Sequence, residues 1–441
     1  MLSREENALV CQVGPGKPMG SLMREYWIPV LQSEDLPTPD GDPLRVRLLG
    51  EDLVAFRDSA GRVGLLQNNC PHRGASLFFG RNEEGGLRCV YHGWKFAIDG
   101  TCVDMPNEPA ESDFKSKVTA RGYTCQERNG IVWAYMGSRQ QPPPLPELGW
   151  ALVPADQRQS LRYARACNWL QALEGDIDSS HVSFLHRSFE RSGGAVPPAF
   201  AQTDEDRRNF ALLRTNGTPR LQVLDTDVGV TYGAMRPGDD GKEFWRVTQF
   251  LMPFYTSIPG GSRMGSAKIW VPLDDEHTMI WEPSWSLTGA PLPETNRGGR
   301  TGRVPKSGFL PETTHPLSRW VFADNSTNDY GIDRQRQKTV NYTGMDESNP
   351  LQDGAIQETM GAILDRTIEH LGSADAMIIR VRRRLLDSLR AHADGTLPPG
   401  VDQPEAYRRR GVQLTLAAGS NWYQVTEAMV HQVVAAGTMD T

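Results

Sequence analysis

Two short stretches of the chain combine the residue types that bind metals. Cys70-Pro-His72 and Cys89-Val-Tyr-His92 each contain one cysteine and one histidine, and sixteen residues separate the two stretches. Their thiolates and imidazoles form a four-ligand set that is contributed by two loops. Such a set can bind a tetrahedral zinc ion, or a [2Fe–2S] cluster in which two histidines replace two cysteines on one iron.

The way the ligands are divided favours the iron–sulfur cluster. Structural zinc sites usually pair like ligands within each arm, whereas each arm here brings one cysteine and one histidine. Two iron ions can therefore each receive one ligand type from both arms, as in a Rieske cluster. Four glycines give the backbone freedom that lets loop amides turn towards the sulfurs; they are Gly74, Gly85, Gly86 and Gly93. We predict that the four cysteine and histidine side chains bind a Rieske [2Fe–2S] cluster.

A second group of metal-binding residues lies in the sequence NWLQALEGDIDSSHVSFLH, residues 168–186. His181 and His186, with a carboxylate from elsewhere, would make the 2-His-1-carboxylate site of non-haem Fe(II). Residues five apart lie about 140° apart around a regular helix, so both can face one metal only where the helix is bulged or broken. Taken alone, the pair would be interpreted as two structural histidines. Downstream of a cluster that delivers single electrons, however, an acceptor is needed in the same chain or in a partner protein.

The surrounding sequence predicts two domains of the α+β class. From Pro43, short alternating strands separated by turns indicate a small antiparallel domain whose loop tips carry the first ligand set. Residues 137–147 are rich in proline and indicate a linker. Residues 220–290 return to strands in an antiparallel meander. Residues 288–312 are predicted to form a long loop, either a mobile cover over a site or an oligomer contact.

Two helices are predicted near the C-terminus. The first has Asp353 at its N-terminus and buries a stripe at helical spacing, made of Ile356, Met360, Ile363, Leu364 and Ile368. The second spans residues 376–391. Its arginines are predicted to form a solvated face; they are Arg380, Arg382, Arg383 and Arg384.

Composition and charge exclude several classes of protein. The net charge of -7 and the isoelectric point near 5.8 argue against nucleic acid or an anionic membrane as a partner. No stretch is apolar enough to span a membrane, and the first residues lack the pattern of a signal peptide. Outside the ligand set, the cysteines show no disulfide spacing. We therefore expect a soluble protein with reduced thiols in a bacterial-type cytoplasm.

Several stretches together resemble the Rieske non-haem iron aromatic-ring oxygenases, in particular the oxygenase components of the phthalate dioxygenase group. They are CPHRGASLFFGRNEEGGLRCVYHGWKF, NWLQALEGDIDSSHVSFLH, and NDYGIDRQRQ with QDGAIQETMGAILDRTIEHLG. The resemblance covers nearly the whole chain. It implies an all-β Rieske domain with an N-terminal entry segment over residues 1–145. It also implies a catalytic domain over residues 146–441, with an antiparallel sheet and flanking helices of the helix-grip type.

The resemblance implies a ligand set for each metal centre. Cys70, His72, Cys89 and His92 match the cluster ligands. His181 and His186 match ligands of the mononuclear iron, and Asp353 is the expected third ligand. Asp353 is favoured because it precedes an apolar helix, where its side chain can point back towards the core. The other acids nearby are Asp346, Glu347, Glu358 and Asp365.

Two further polar residues are assigned roles by the resemblance. Asp178 matches the acid that, in the family, bridges the cluster of one subunit to the iron of its neighbour. Asn168 matches a polar residue beside the iron. Asp176 competes with Asp178 for the bridging role, and Asp178 is preferred because it lies three residues before His181, on the same face of a helical turn.

The implied activity is that of an oxygenase component. A reductase that uses NAD(P)H through flavin and iron–sulfur centres would supply electrons, and O₂ would be the co-substrate. The expected reaction is dihydroxylation of an aromatic carboxylate of the phthalate type, with monooxygenation or O-demethylation of a related aromatic acid as the alternative. The resemblance implies a homotrimer or a hexamer of stacked trimers. A bare Rieske electron carrier and a zinc-stapled binding protein are the competing functions.

One strand suggests how a substrate carboxylate would be held. In residues 244–250 the alternation puts Arg246 between Phe244 and Phe250 on one face. A buried guanidinium is costly without an anion, and its fork matches a carboxylate. The resemblance suggests that the substrate supplies this anion, with Arg207 or Arg208 holding a second carboxylate and Ser180 near the iron. The alternative is an internal ion pair between Arg246 and an acid of the protein.

Overall fold

The protein is built of antiparallel sheets with flanking helices, which confirms the predicted α+β class. The computed structural model describes residues 1–109, 111–189, 203–293 and 303–433. The helices within these ranges are α1 Arg4–Cys11, α2 Pro18–Arg24, α3 Trp169–Ile177, α4 Asp204–Thr215, α5 Arg334–Thr339, α6 Asn349–Glu358, α7 Ala376–Ala393 and α8 Trp422–His431. Part of the predicted loop at residues 288–312 falls outside the described residues.

The strands of the N-terminal half form two sheets. They are β1 Trp27–Gln32, β2 Leu44–Leu48, β3 Glu51–Arg57, β4 Val63–Gln67, β5 Arg81–Glu83, β6 Gly86–Arg88, β7 Lys95–Phe96, β8 Cys102–Asp104, β9 Gly122–Arg128 and β10 Ile131–Tyr135. Among the described residues, one sheet has the order β1-β10-β9-β4-β3-β2 and the other the order β5-β6-β7-β8. Cys89 and His92 lie in the loop between β6 and β7, and Cys70 and His72 lie in the connection between β4 and β5.

The strands of the C-terminal half form one large sheet, as the predicted meander requires. They are β11 Arg158–Arg165, β12 Arg220–Thr226, β13 Gly229–Pro237, β14 Lys242–Leu251, β15 Tyr255–Ser257, β16 Met264–Ser266, β17 Lys268–Pro272, β18 Thr278–Ser286 and β19 Val412–Ala417. Among the described residues, its main path is β11-β18-β17-β15-β14-β13-β12, and β19 also pairs with β14. A strand from near the end of the chain therefore completes the middle of the sheet.

The helix that was predicted to begin at Asp353 begins earlier, so this expectation was wrong. Ser348 caps α6 by accepting a hydrogen bond from the backbone N–H of Leu351, and Pro350 occupies its first turn, where proline is tolerated. The helix ends at Glu358, and Gly361 then adopts a positive φ of 92°. Asp353 therefore lies in the middle of α6.

The apolar stripe predicted for this helix was also wrong. The chain has left the helix before most of the stripe, so the spacing no longer describes one face. The side chains of Ile356, Met360 and Ile368 are 42%, 44% and 69% exposed. These hydrophobic residues have helical spacing in the sequence but do not form one helix face, because a glycine-containing turn interrupts them.

The second predicted helix is confirmed as α7, but its arginines are not all solvated. Arg382 is buried, and its guanidinium forms ion pairs with Glu174 at 2.6 Å and with Glu369 at 2.5 Å. Arg366 also pairs with Glu174, at 2.8 Å. Because Glu174 lies on α3, this buried network fixes the helix that leads into the second histidine motif.

No helix among the described residues is both long enough and apolar enough to cross a membrane.

Candidate metal centres and substrate cavity

The two cysteine–histidine loops have the same backbone construction. Cys70 accepts a hydrogen bond at its carbonyl from the N–H of Gly74 at 2.9 Å, and Cys89 accepts one from Gly93 at 2.9 Å. Each glycine has a positive φ, 77° for Gly74 and 81° for Gly93. Residues with a Cβ rarely adopt this conformation, which explains why glycine closes each loop. The loops thus present two buried sulfurs from equivalent positions.

The donor atoms of these loops fit the predicted cluster. The ring centroids of His72 and His92 lie 4.4 Å apart, and the ring of His72 stacks on Trp94 at 4.3 Å. The Nδ1 atom of His72 is buried and has no hydrogen-bond partner among the described residues. Buried polar atoms are normally satisfied, so a metal ligated at this nitrogen explains the exception. Two thiols and two imidazoles are the donor set that a Rieske cluster requires.

The second histidine motif contains the helix break that its spacing requires. Helix α3 ends at Ile177, and His181 begins a separate 3₁₀ turn, His181–Ser183. Asp178 caps the break in extended conformation. Its carboxylate accepts hydrogen bonds from the backbone N–H groups of Ser180 at 2.7 Å and His181 at 3.2 Å. The chain therefore changes direction between α3 and the histidines.

Asp353 meets both histidines from the middle of α6. Its Oδ1 atom lies 3.1 Å from Nε2 of His186 and 3.7 Å from Nε2 of His181. One ligand atom from each of these three residues lies within 4.8 Å of the other two, so the three side chains could hold one metal ion. The arrangement fits the 2-His-1-carboxylate site of non-haem Fe(II).

The other nitrogen of each imidazole has its own partner. Nδ1 of His181 lies 3.3 Å from the carboxylate of Asp178, and Nδ1 of His186 lies 2.8 Å from the amide oxygen of Gln352. These contacts favour a proton on Nδ1 and leave Nε2 facing Asp353, which is the tautomer that a metal at Nε2 needs. Gln352 was not among the predicted site residues. It directly precedes Asp353, but nothing in the sequence indicates that it contacts His186.

The electrostatics of the group keep Asp353 anionic. Burial raises the pKa of the Asp353 carboxyl, but the neighbouring His186, His181 and Arg165 lower it, and the net result is a pKa below its usual range. Burial lowers the pKa of His181, while the carboxylates of Asp178 and Asp353 raise it, with a net rise. A carboxylate that stays ionised in a buried site is suited to a divalent cation.

Arg165 holds α6 on both sides of Asp353. This arginine lies on β11 and is buried. Its guanidinium donates to the carbonyl of Pro350 at 3.1 Å and to the side-chain oxygen of Gln357. The two contacts lie one turn before and one turn after Asp353, so they fix the position of its carboxylate relative to the sheet.

The acids that competed in the sequence analysis have other partners. Asp176 forms an ion pair with Lys268 and accepts a hydrogen bond from Thr256 at 2.5 Å. Its neighbour Asp178 is the one that contacts a histidine. Glu358 accepts hydrogen bonds from the N–H of Ala166 at 3.0 Å and the hydroxyl of Tyr330 at 2.6 Å, away from the histidines.

Four of the expected site residues do not line the cavity beside the metal group. Asn168 is fully buried as the N-cap of α3, and its amide donates to the carbonyls of Cys11 and Asp275. These hydrogen bonds give the Asn168 side chain a structural role as a helix cap, and it does not line the metal group.

Arg207 and Arg208 are exposed on α4, and Arg207 pairs with Asp204. The Oγ atom of Ser180 is buried without a partner among the described residues, and it does not line the cavity described next.

A cavity of about 360 Å³ opens next to the metal group. The metal triad and Asp178 contribute to its wall, together with Arg246 and Thr248 of β14. Further polar groups that the sequence analysis did not single out also line it; they are Arg214, Lys268, Arg303, Gln352 and Gln413. Most of these come from strands and helices that are far apart in the sequence, so no local motif marks them.

The charged groups on this wall differ in whether they have a counter-ion. Lys268 is paired with Asp176, and Arg303 is paired with Glu282 at 2.6 Å. The guanidinium of Arg246, by contrast, has no hydrogen bond or ion pair with any described residue. Burial lowers the pKa of Arg246, and the opposing influence of Tyr232 and Asp176 is smaller, so the pKa lies below its usual range. The predicted alternative of an internal ion pair is therefore not observed in the described part of the chain.

Comparison with known proteins assigns the family. A family model described as Rieske [2Fe-2S] domain matches residues 26–120, and another described as LigXa C-terminal domain like matches residues 134–435. The chain belongs to the Rieske non-haem iron oxygenases. It carries the Rieske [2Fe–2S] domain of this family, whose members use a mononuclear iron and O₂.

Relatives along the whole chain agree with this assignment. The chain is 42% identical over 432 residues to the 3-chlorobenzoate-3,4-dioxygenase oxygenase subunit of Comamonas testosteroni, a match that covers 94% of this chain and 96% of the relative. It is 40% identical over 411 residues to the phthalate 4,5-dioxygenase oxygenase subunit of Pseudomonas putida, covering 91% and 90%. The solved structure of dicamba monooxygenase bound to dicamba has the same fold, with a TM-score of 0.53, 18% identity, and coverage of 84% and 98%.

These matches decide between the functions that the sequence left open. The protein is an oxygenase subunit of a Rieske ring-hydroxylating system. The expected fold, enzyme class and cofactors are confirmed. A bare electron carrier is wrong because the second family model accounts for the C-terminal residues, and a zinc-stapled protein is wrong because the first accounts for the cysteine–histidine loops.

We expect Cys70→Ser to abolish the visible Rieske spectrum, because a serine hydroxyl is a poor substitute for a thiolate ligand. Cys102→Ser is the matched control, since this buried cysteine lies in the same small core and is not one of the four ligands. Absorption and acid-labile sulfide measured on both purified variants provide the test. Loss of the spectrum in Cys102→Ser alone would contradict the ligand assignment.

For Asp353→Ala we expect loss of the mononuclear iron with an unchanged cluster spectrum. The wild-type protein should contain three irons and two acid-labile sulfides per chain, and the variant two irons. Glu358→Ala removes a carboxylate from the same helix and should keep all three irons, because Glu358 contacts Ala166 and Tyr330 instead of the histidines. The assignment of Asp353 fails if Glu358→Ala removes the iron and Asp353→Ala does not.

Proposed function

We propose that the protein dihydroxylates an aromatic carboxylate of the phthalate or benzoate type, with O₂ and electrons supplied through an NAD(P)H-dependent reductase. The observation that carries this proposal is the guanidinium of Arg246. It lies on the wall of the cavity that also contains His181, His186 and Asp353, and it has no acid partner among the described residues. A partly buried cation without a counter-ion is suited to an anionic ligand.

The names of the relatives support the same substrate class. The two relatives with about 40% identity act, by name, on 3-chlorobenzoate and on phthalate, and both compounds are aromatic carboxylates. A relative with 31% identity is named phenoxybenzoate dioxygenase. An O-demethylase of 5,5'-dehydrodivanillate is 29% identical over 93% of the chain, so O-demethylation of an aromatic acid is the second candidate reaction.

Each protein group has a distinct task in this reaction. When bound, the mononuclear iron activates O₂ and the cluster supplies single electrons. His181, His186 and Asp353 hold that iron at the cavity wall, and Asp178 and Gln352 keep both imidazoles oriented with Nε2 towards it. Arg246 holds the substrate carboxylate and thereby fixes which carbons of the ring face the iron.

The contact of Asp178 with His181 and its partial exposure support a role in a link between subunits. Its side chain touches His181 but remains 24% exposed, so a group from outside the chain can reach it. We propose that Asp178 joins the iron site of one subunit to the cluster of another, in a homotrimer or a hexamer of stacked trimers. Cluster ligand His92 is also partly exposed and is the group that would approach it.

For Asp178→Asn we expect both metal centres to remain occupied while turnover falls by about 10- to 100-fold, the range typical for partners of metal-binding histidines. The measurement is electron transfer from the reduced cluster to the iron in a single turnover, together with the iron content. Asp333→Asn is the control, because Asp333 caps α5 through two backbone N–H groups much as Asp178 caps its turn, but its side chain has no hydrogen bond or ion pair with a histidine among the described residues. Normal electron transfer in Asp178→Asn would show that Asp178 only caps the turn and does not link the two metal centres.

For Arg246→Lys we expect the KM for aromatic acids to rise by about 10- to 100-fold, because lysine keeps the charge but loses the two parallel hydrogen bonds. The metal content should not change. Turnover of 3-chlorobenzoate and phthalate, with product analysis, tests both the substrate class and the type of reaction. Benzamide analogues serve as neutral controls whose binding should not depend on Arg246. Unchanged turnover of the acids by Arg246→Lys would show that the carboxylate is held elsewhere.

A further inference from the structure

Arg246 has a cross-strand neighbour that comes from near the end of the chain. Strands β14 and β19 are antiparallel, and Arg246 is directly opposite Gln413 in their register. Residues opposite each other in an antiparallel pair have side chains on the same face, with Cβ atoms about 4.5–5.5 Å apart. Both residues line the cavity. The register therefore places an amide next to the guanidinium, on the same wall.

The side chain of Gln413 is not used elsewhere in the described structure. No hydrogen bond joins its amide to any described residue. Gln352, which lines the same cavity, differs in this respect, because its oxygen lies 2.8 Å from His186 and its nitrogen donates to the carbonyl of Asp346 at 2.8 Å. A polar amide at the edge of a cavity, without a protein partner, is available to a ligand.

The residue type at position 413 also favours an anion site beside Arg246. Opposite charges are the pairing that stabilises charged residues directly across a sheet, so an acid would be the ordinary partner for Arg246. A glutamate at position 413 would neutralise the guanidinium and leave no charge for a substrate. Glutamine has nearly the same shape but is neutral and donates hydrogen bonds from its NH₂ group. The anion site therefore stays charged and gains a second donor.

We propose that Gln413 is a substrate-binding residue whose amide N–H donates to the carboxylate that Arg246 holds, an inference that rests on the proposed function. A carboxylate has about four lone-pair positions, and a bidentate guanidinium uses two of them. The amide can fill a third and fix the rotation of the carboxylate about its bond to the ring. The substrate carboxylate is then held from two strands, by Arg246 of β14 and Gln413 of β19.

The test uses the holoenzyme and two substitutions at one position. Gln413→Leu removes the donor, and we expect the Kd for 3-chlorobenzoate to rise about 2- to 12-fold, the range for one hydrogen bond. Gln413→Glu places a carboxylate beside Arg246, and we expect a larger rise, of at least 100-fold, because the internal ion pair competes with the ligand. Equilibrium binding of 3-chlorobenzoate and of 3-chlorobenzamide is measured by calorimetry, with iron content determined for each sample.

The controls separate this inference from the proposed function. Gln424→Glu makes the same change on the exposed surface of α8 and should bind both compounds like the parent. Binding of the benzamide should be nearly unchanged in Gln413→Glu, whereas equal losses for acid and amide would indicate damage to the cavity and overturn the inference. If Arg246→Lys weakens binding of the acid and both Gln413 variants do not, Gln413 has no role but the proposed function stands. If the parent binds neither 3-chlorobenzoate nor phthalate, both proposals fail.

Discussion

The site depends on one contact, the approach of the largely buried carboxylate of Asp353 to His181 and His186. An ionised carboxylate is costly to bury, and the two imidazoles and the guanidinium of Arg165 keep it anionic. Its position is set from outside the site, because Arg165 binds α6 through Pro350 and Gln357 on either side of it. The position of the iron site therefore depends on how α6 packs against the sheet.

The cavity divides its tasks between helices and sheet. The metal group comes from the end of α3 and the middle of α6, whereas the proposed anion anchor lies on β14 and β19. Strands are rigid supports, so a carboxylate held on the sheet gives the aromatic ring a fixed distance from the metal group. Loops and helix breaks, in turn, allow the histidines to adopt positions that a regular helix would forbid.

Prediction from the sequence was accurate where the chemistry is local and less so where it depends on packing. The cysteine–histidine loops and the break before His181 followed from ligand types and spacing. Asp353 lies beside the two histidines, as its predicted role requires, but the reason given for choosing it was wrong, since the helix begins at Asn349 and not at Asp353. Asn168 was misplaced because a buried asparagine at a helix start can serve as a cap as readily as a site residue.

The sequence by itself determined the ligand chemistry of the cluster, because its four ligands lie in two short motifs whose residue types and spacing admit few alternatives. Only the tertiary structure decided that Arg246 has no ion-pair partner among the described residues, since Arg246, Arg303 and Arg382 look alike in sequence and differ in the acids that the fold brings to them. It also decided that Gln413 faces Arg246. That contact joins two strands far apart in the chain, and the register between distant strands is set by the packing of the whole sheet.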